Sequence, residues 1–385
     1  MSPGVARWKL PARRSLQAAL TLGAPLGIAI GPIAGGALLE WYSWSSVFWI
    51  NVPALTVALA ATFHLIPTSR DGRQFRLDPV GAVLSIAAVG AVTYGVIEAP
   101  ENGWTSSSTV MVLGIGLAAA VAFIVWEARR DDPILDVRLF RAPAFTAASL
   151  SLTLLFFAMA GAMFLQAQYL QFVLDYSALG AGVALVPAAV GILLGTGGGS
   201  HLGAAHGARV TVTAGALLGA IGLGLQAMFA DGGSYLPTGA GLFLFGLGAG
   251  LAMPAATNSL MGTLPTARAG VGSAVNDTTR EVGAALGVAV VGSVATSYSS
   301  SMQSASLPGP ALPDAVRSAV NDNISAAIAV SRDLGIDGAV LAQLSQDAFV
   351  TSMGSAMWVA AAIAAWGAVI AVVHLPRPAQ FKTTR

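Results

Sequence analysis

Three charged side chains, Asp277, Arg280 and Glu281, stand near the start of an apolar run long enough to cross a membrane. Acidic groups inside membrane helices are expensive and often mark proton or cation pathways. With Asn276 beside them, they could exchange protons or order the inner gate of a cavity. The rival reading is a helix start: Thr278 and Glu281 have capping-box spacing, and Arg280 would anchor at the interface. Their place near the membrane edge favours that rival. Gln166, Gln168 and Gln171 crowd the end of another apolar run, and Asn258 ends a third. Such uncharged polar groups either hold the polar part of a small molecule or bond between helices, at about 0.6–2 kcal/mol each. Phe156, Phe157, Met159, Met163 and Phe164 could line an adaptable apolar pocket, since Met-rich surfaces repack around varied ligands. Periodicity alone reads them as packing or lipid-facing residues. His201 and His206 lack a third ligand, so no metal is expected. Gly195 and Gly197 to Gly199 are followed by no Gly-Lys-Ser/Thr, so they form no phosphate loop. With no Ser-His-Asp set and no cofactor loop, neither an enzyme nor a cofactor is expected.

The elements that position these groups are set by composition. Hydrophobic residues make up 55% of the 385, and only 10% are charged. Mean hydropathy is +0.72. Forty-five glycines suit packed membrane helices, which tolerate Gly better than soluble ones. A net charge of +1 gives no reason to expect nucleic acid. The chain has no cysteine, which excludes disulfides and thiol chemistry. The expected fold class is an all-α membrane protein, a polytopic helical bundle whose surroundings are the lipid bilayer.

A spanning helix needs about 20 apolar residues. Ten stretches meet this, at roughly 17–39, 45–66, 79–98, 107–127, 143–166, 179–199, 209–230, 237–258, 275–297 and 350–373. If the N-terminus is cytoplasmic, only Arg317 and Arg332 of the 19 Lys and Arg residues fall outside. That bias places both termini in the cytoplasm. Trp41, Trp44, Trp49 and Trp104 then cluster at outer ends, as an interfacial belt should. Glu40, Glu98 and Asp175 read as outer or interfacial residues. The Ser/Ala-rich segment 298–347 lies outside and has the spacing of one or two surface helices.

Residues 22–53 (LGAPLGIAIGPIAGGALLEWYSWSSVFWINVP) carry Gly27, Gly31, Gly35 and Gly36 around Pro32. Glycines at such spacing let another backbone approach closely in lipid. The stretch resembles the antiporter motif (G-x-x-x-G-P-x-x-G-G) of the major facilitator superfamily, and WINVP resembles its fourteen-helix drug:proton antiporter branch. Residues 78–104 look like that branch's extra central helix pair, and 168–187 and 270–293 resemble two of its later helices. The segment 197–209 (GGGSHLGAAHGAR) reads as a loop at the place of the family's repeated cytoplasmic motif, but without its acidic residue. Laid on the fourteen-helix plan, the chain begins just before the fifth helix, so four helices are expected to be missing.

The resemblance implies three parts: 1–66 as a two-helix remnant of the N-terminal half-bundle, 67–141 as the central pair, and 142–385 as a six-helix C-terminal half. It implies proton-coupled efflux of small amphipathic molecules or drugs by alternating access, in a plasma (inner) membrane. The glycine motif would seal the outer side as a gate. Asp277, Arg280 and Glu281 become proton or charge-relay candidates, and Gln166, Gln168, Asn258, Phe157 and Met163 substrate-cavity candidates. The alternative is a truncated, non-transporting membrane remnant or interaction subunit. Oligomeric state is left open.

Overall fold

The computed structural model describes residue 27 and residues 30–65, 78–130, 133, 135–229, 234–264, 269–294, 297–304, 314–333 and 336–376. The expected span 17–39 is thus described mainly from residue 30. The basic residues before Gly27, and Arg70, Arg73, Arg76, Arg268, Arg377, Lys382 and Arg385, lie outside the described residues.

Regular structure among the described residues is helical. Helix α1 covers 30–41. A single turn, Ser46–Trp49, leads to α2, Asn51–Leu65. Then follow α3, Pro79–Asn102, and α4, Ser107–Arg129. A 3-10 turn, Val137–Arg141, precedes α5, Pro143–Gln168, whose last turn widens into a π-helical segment, Tyr169–Val173. Helices α6, Ala178–Ala184, α7, Val186–Met228, and α8, Tyr235–Gly262, come next. They are followed by α9, Ala269–Val294, three short helices and the long α13, Ile336–His374. The short ones are α10, Ser297–Ser304, α11, Asp314–Asp322, and α12, Ile324–Asp333.

Apolar side chains face outward, the inverse of a water-soluble protein. Val83, Ile86, Met111, Leu117, Leu236 and Trp366 are among the exposed ones. That surface requires hydrocarbon around it, where every backbone group must bond within its own helix. Seven described segments are long and apolar enough to cross a membrane. One of them, Ala178–Met228, is two passes, because α7 breaks at Gly207. Helix α9 has the length of a span, but Asp277, Arg280 and Glu281 lower its hydropathy, so it is not among the seven. These two differences, with the expected span 17–39 described mainly from residue 30, separate the ten expected spans from those seven.

The break at Gly207 revises the expected loop 197–209. The helix persists through 206, and one residue with φ 81° and ψ 170° ends it. Only glycine adopts that backbone readily. Small residues on either side allow the two arms to lie against α8. Along 186–206, Gly191 faces the Phe243 carbonyl and Gly195 that of Leu247. Along 208–228, Gly215 faces the Gly248 carbonyl and Gly222 that of Gly241. The register ascends on the first arm and descends on the second, so the chain reverses at Gly207. At each contact a Cβ would strike backbone, which is how small residues bring membrane helices together.

Helices α5 and α9 meet in the same way: Gly283 sits on the Thr153 carbonyl, Gly287 on that of Phe157, and Gly161 on Val291. One core cluster gathers Phe157, Leu165, Tyr169, Phe245, Val291, Met302, Ile324, Phe349 and Met353. A second, toward the other ends of the helices, gathers Phe145, Leu152, Ile192, Val212, Leu260, Val275 and Leu375. The segment 298–347 is helical for much of its length. Helices α10 to α12 and the first turns of α13 cap the bundle, with Tyr298 Oη donating to the Val320 carbonyl at 3.1 Å. Gln346 Nε2 donates to the Phe172 carbonyl at 2.8 Å.

Helices α3 and α4 form an antiparallel hairpin closed by Gly116 against Val92 and Gly95 against Leu113. Its base is polar. Asp78 caps α3, accepting from Gly81 N at 3.0 Å and Trp126 Nε1 at 2.9 Å, and pairs with Arg130 Nε at 3.3 Å. The Gly81 N–H foremost, then Trp126, Arg130 and the Val80 N–H, hold the Asp78 carboxyl below its ordinary value against the opposing effect of burial. Glu127, buried beside it, accepts from Leu135 N at 3.1 Å.

Candidate functional site

Helix α1 reaches the C-terminal bundle at α6. A Cβ on Gly36 would collide with the Ala178 carbonyl and stand 2.9 Å from Leu179 Cα. Reciprocally, a Cβ on Gly182 would collide with the Pro32 carbonyl. Glu40, one turn beyond Gly36, accepts from Leu179 N at 3.1 Å, so it supplies a partner to an N–H in the first turn of α6. Ser177 caps the same helix through Gly180 N at 3.1 Å. Of the five gate candidates, Pro32 and Gly36 touch the facing helix. Gly27, Gly31 and Gly35 have no described atom within 4 Å of an added Cβ. The close approach therefore lies at the last glycine of the motif, and it is completed by Gly182.

Helix α9 begins at Ala269, two turns before Asp277, so Thr278 and Glu281 lie in its interior and do not form its capping box. Asp277 and Glu281, four residues apart, share one face and are both exposed. Arg280 turns toward α5, on the side that carries Gly283 and Gly287. Its guanidinium lies 5.0 Å from the centre of the Phe156 ring, a cation–π distance. Its Nε is buried without a hydrogen-bond partner among the described residues. The cluster is thus split: two carboxylates outward, and a cation against α5.

Asn276, 8% exposed, accepts from Thr257 Oγ1 at 3.0 Å, and its Nδ2 donates to Asp277 Oδ1 at 3.3 Å. This chain ties α8 to the acidic face of α9. Asn258, the candidate expected from sequence, is exposed, and its neighbour Thr257 makes the bond. Adjacent helical positions point about 100° apart, and the available signal was that one of two consecutive polar residues must face inward.

Gln166 is buried to 1% with neither side-chain polar atom bonded among the described residues. Gln168 is half-buried and donates weakly to the Phe164 carbonyl at 3.5 Å. Phe157 is buried in the first core cluster, and Met163 is half-buried. Gln166 lies beside Leu165 at that end of the bundle, whereas Asn258 lies near Leu260 in the other cluster. The structure does not bring these two cavity candidates together.

The sequence model of the Major Facilitator Superfamily matches residues 4–288. The chain is 33% identical over 275 residues to multidrug resistance protein Stp of Mycobacterium tuberculosis, covering 71% of this chain and 51% of that protein. It is 30% identical over 313 residues to multidrug efflux pump LfrA of Mycolicibacterium smegmatis, covering 80% and 60%. With the tetracenomycin C resistance and export protein of Streptomyces glaucescens, identity is 29% over 353 residues, covering 89% and 65%. The matched region thus spans about half to two thirds of the length of these relatives.

Proposed function

The chain belongs to the major facilitator superfamily, and on that premise we propose that it serves proton-coupled export of small amphipathic molecules or drugs across the plasma membrane. The observation that carries this reading is the reciprocal backbone contact of Pro32 and Gly36 with α6, found in a chain similar to multidrug exporters. Alternating access needs two bundles that separate on one side and close on the other. A seam of carbonyls packed on glycines closes without side chains between the backbones, and so leaves little room for water or protons. In this reading 1–66 contributes to the first half, 67–141 is the central pair, and 142–385 is the second half. The basic segments place both termini in the cytoplasm.

Asp277 and Glu281, exposed on one face of α9, are the carboxylates that exchange protons. Arg280, held on Phe156, keeps a positive charge within one turn of both. Gln166, Gln168, Phe157, Met163 and Asn258 supply apolar walls and isolated polar groups for a substrate. Mostly apolar, adaptable surfaces recognise classes of molecule more than one molecule.

The test is efflux of a lipophilic cationic dye from cells expressing the chain from its own gene. Expected are lower dye retention than in vector controls, loss of that difference with a protonophore, and loss in an Asp277→Asn, Glu281→Gln variant. Retention equal to the control in cells with confirmed membrane expression would overturn the reading.

A further inference from the structure

A cleft of about 600 Å³ opens where the end of α4 meets the 3-10 turn Val137–Arg141. Ile124, Ala128 and Val137 form its apolar wall, and Arg138 and Arg141 its charged one. The turn is fixed from both ends. Asp136 caps it by accepting from Arg138 N at 3.2 Å, and Thr146 Oγ1 donates to the Phe140 carbonyl at 2.6 Å. Phe140 packs edge-on against the fully buried Phe145. Arg138 Nη2 donates to the Ala128 carbonyl at 3.1 Å, which ties its guanidinium to the last turn of α4. Arg130, one residue past the helix, is committed to Asp78 instead.

The depth of the cleft matters. The apolar span of α4 ends at Arg129, so Ile124 faces the hydrocarbon edge and the two arginines sit at headgroup level. A planar guanidinium matches a phosphate by two parallel hydrogen bonds, and it is less strongly hydrated than an ammonium. We propose that this cleft binds an anionic phospholipid, its phosphodiester between Arg138 and Arg141 and the start of an acyl chain along Ile124, Ala128 and Val137. None of its lining residues belongs to the α1–α6 seam or to the carboxylate face of α9. A lipid there would brace the joint between α4 and α5, that is, between the central pair and the six-helix half.

The test is native mass spectrometry of the detergent-solubilised chain titrated separately with dioleoylphosphatidylglycerol and dioleoylphosphatidylcholine. The anionic lipid should be retained at roughly tenfold lower concentration, given two interfacial arginines. An R138Q/R141Q variant should retain both lipids equally. Val137→Trp, which fills the apolar wall and keeps both charges, should also weaken retention, and it decides the matter if the double variant aggregates. Arg332→Gln, far away in α12, should change nothing. Equal retention of both lipids by the unmodified chain, or unchanged selectivity in the variants, would overturn the proposal. So would displacement by equimolar glycerol phosphate, which would mark a site for free phosphate.

Discussion

The Pro32 carbonyl rests against Gly182 Cα with no room for a Cβ. A few residues along, the contact is mirrored, with the Ala178 carbonyl resting against Gly36. Each helix thus offers one glycine and one carbonyl to the other. The pairing fixes both depth and rotation of α1 on α6, because Gly182 displaced by one residue would present the side chain of Ala181 or Val183 to the Pro32 carbonyl.

Substituting Gly182→Leu or Gly36→Leu is expected to abolish dye efflux while membrane expression stays measurable. Overpacking of this kind costs about 1–3 kcal/mol, concentrated here at one contact. Gly31→Leu should be far milder, because an added Cβ there meets nothing described within 4 Å. Efflux by the three variants at matched expression checks the order; equal loss in all three would show that Gly31 also faces a packed backbone.

The exposed pair on α9 should separate transport from folding. Asp277→Asn and Glu281→Gln each keep the shape and remove a charge, so detergent melting temperatures should be unchanged. Dye efflux should fall roughly tenfold or more in each, the scale of losing one proton-transfer group. A normal rate in both variants would assign proton exchange elsewhere.

Arg280 gives a different expectation. Its contact with Phe156 should contribute about 0.5–2 kcal/mol. Phe156→Leu should therefore lower the melting temperature, since the Arg280 guanidinium loses the ring it rests on. A Phe156→Tyr variant keeps an aromatic face and should restore it. If Phe156→Leu melts normally, the ring contact contributes nothing.

At the base of the α3–α4 hairpin, Asp78 titrates below its ordinary value of 3.8, chiefly through the Gly81 N–H. A depressed carboxyl stabilises the fold above its unfolded pKa, and that stabilisation is lost as pH falls through the folded value. Trp126 donates to this carboxylate, so its fluorescence reports the event. The hairpin signal should change below about pH 4, and Asp78→Asn should remove that change and weaken the hairpin at neutral pH. An identical acid profile in the variant would assign the transition to another group.

Hydropathy alone marked most of the helices, because a bilayer leaves a chain few choices. Glycine spacing marked α1 as a close-packing helix, but not which glycine makes the contact: that depends on Gly182, about 150 residues away. Charge spacing found Asp277, Arg280 and Glu281, yet read a helix start where the helix had already begun. The glycine-rich stretch around His201 read as a loop because glycine breaks helices in water. In lipid the backbone has no competing partner, and the helix continues to Gly207. Asn276 was legible beside the charged cluster, but its partner Thr257 was not, because a threonine is not unusual until it faces the same interface. The buried Glu127 was hidden for the same reason: its burial comes from Gly81 and Leu135, on either side of it in the chain.

The single-residue reversal at Gly207 has a mechanical side. A long loop between two membrane passes absorbs displacement; one residue has no slack to give. The two arms of α7 must therefore slide or tilt in step, and with α8 fitted against both of them the three passes form a stiff plate. Any displacement of these passes has to be taken up elsewhere, at the margins of that plate and not within it. Lengthening the turn by a few flexible residues would uncouple the arms and convert a lever into two loose rods.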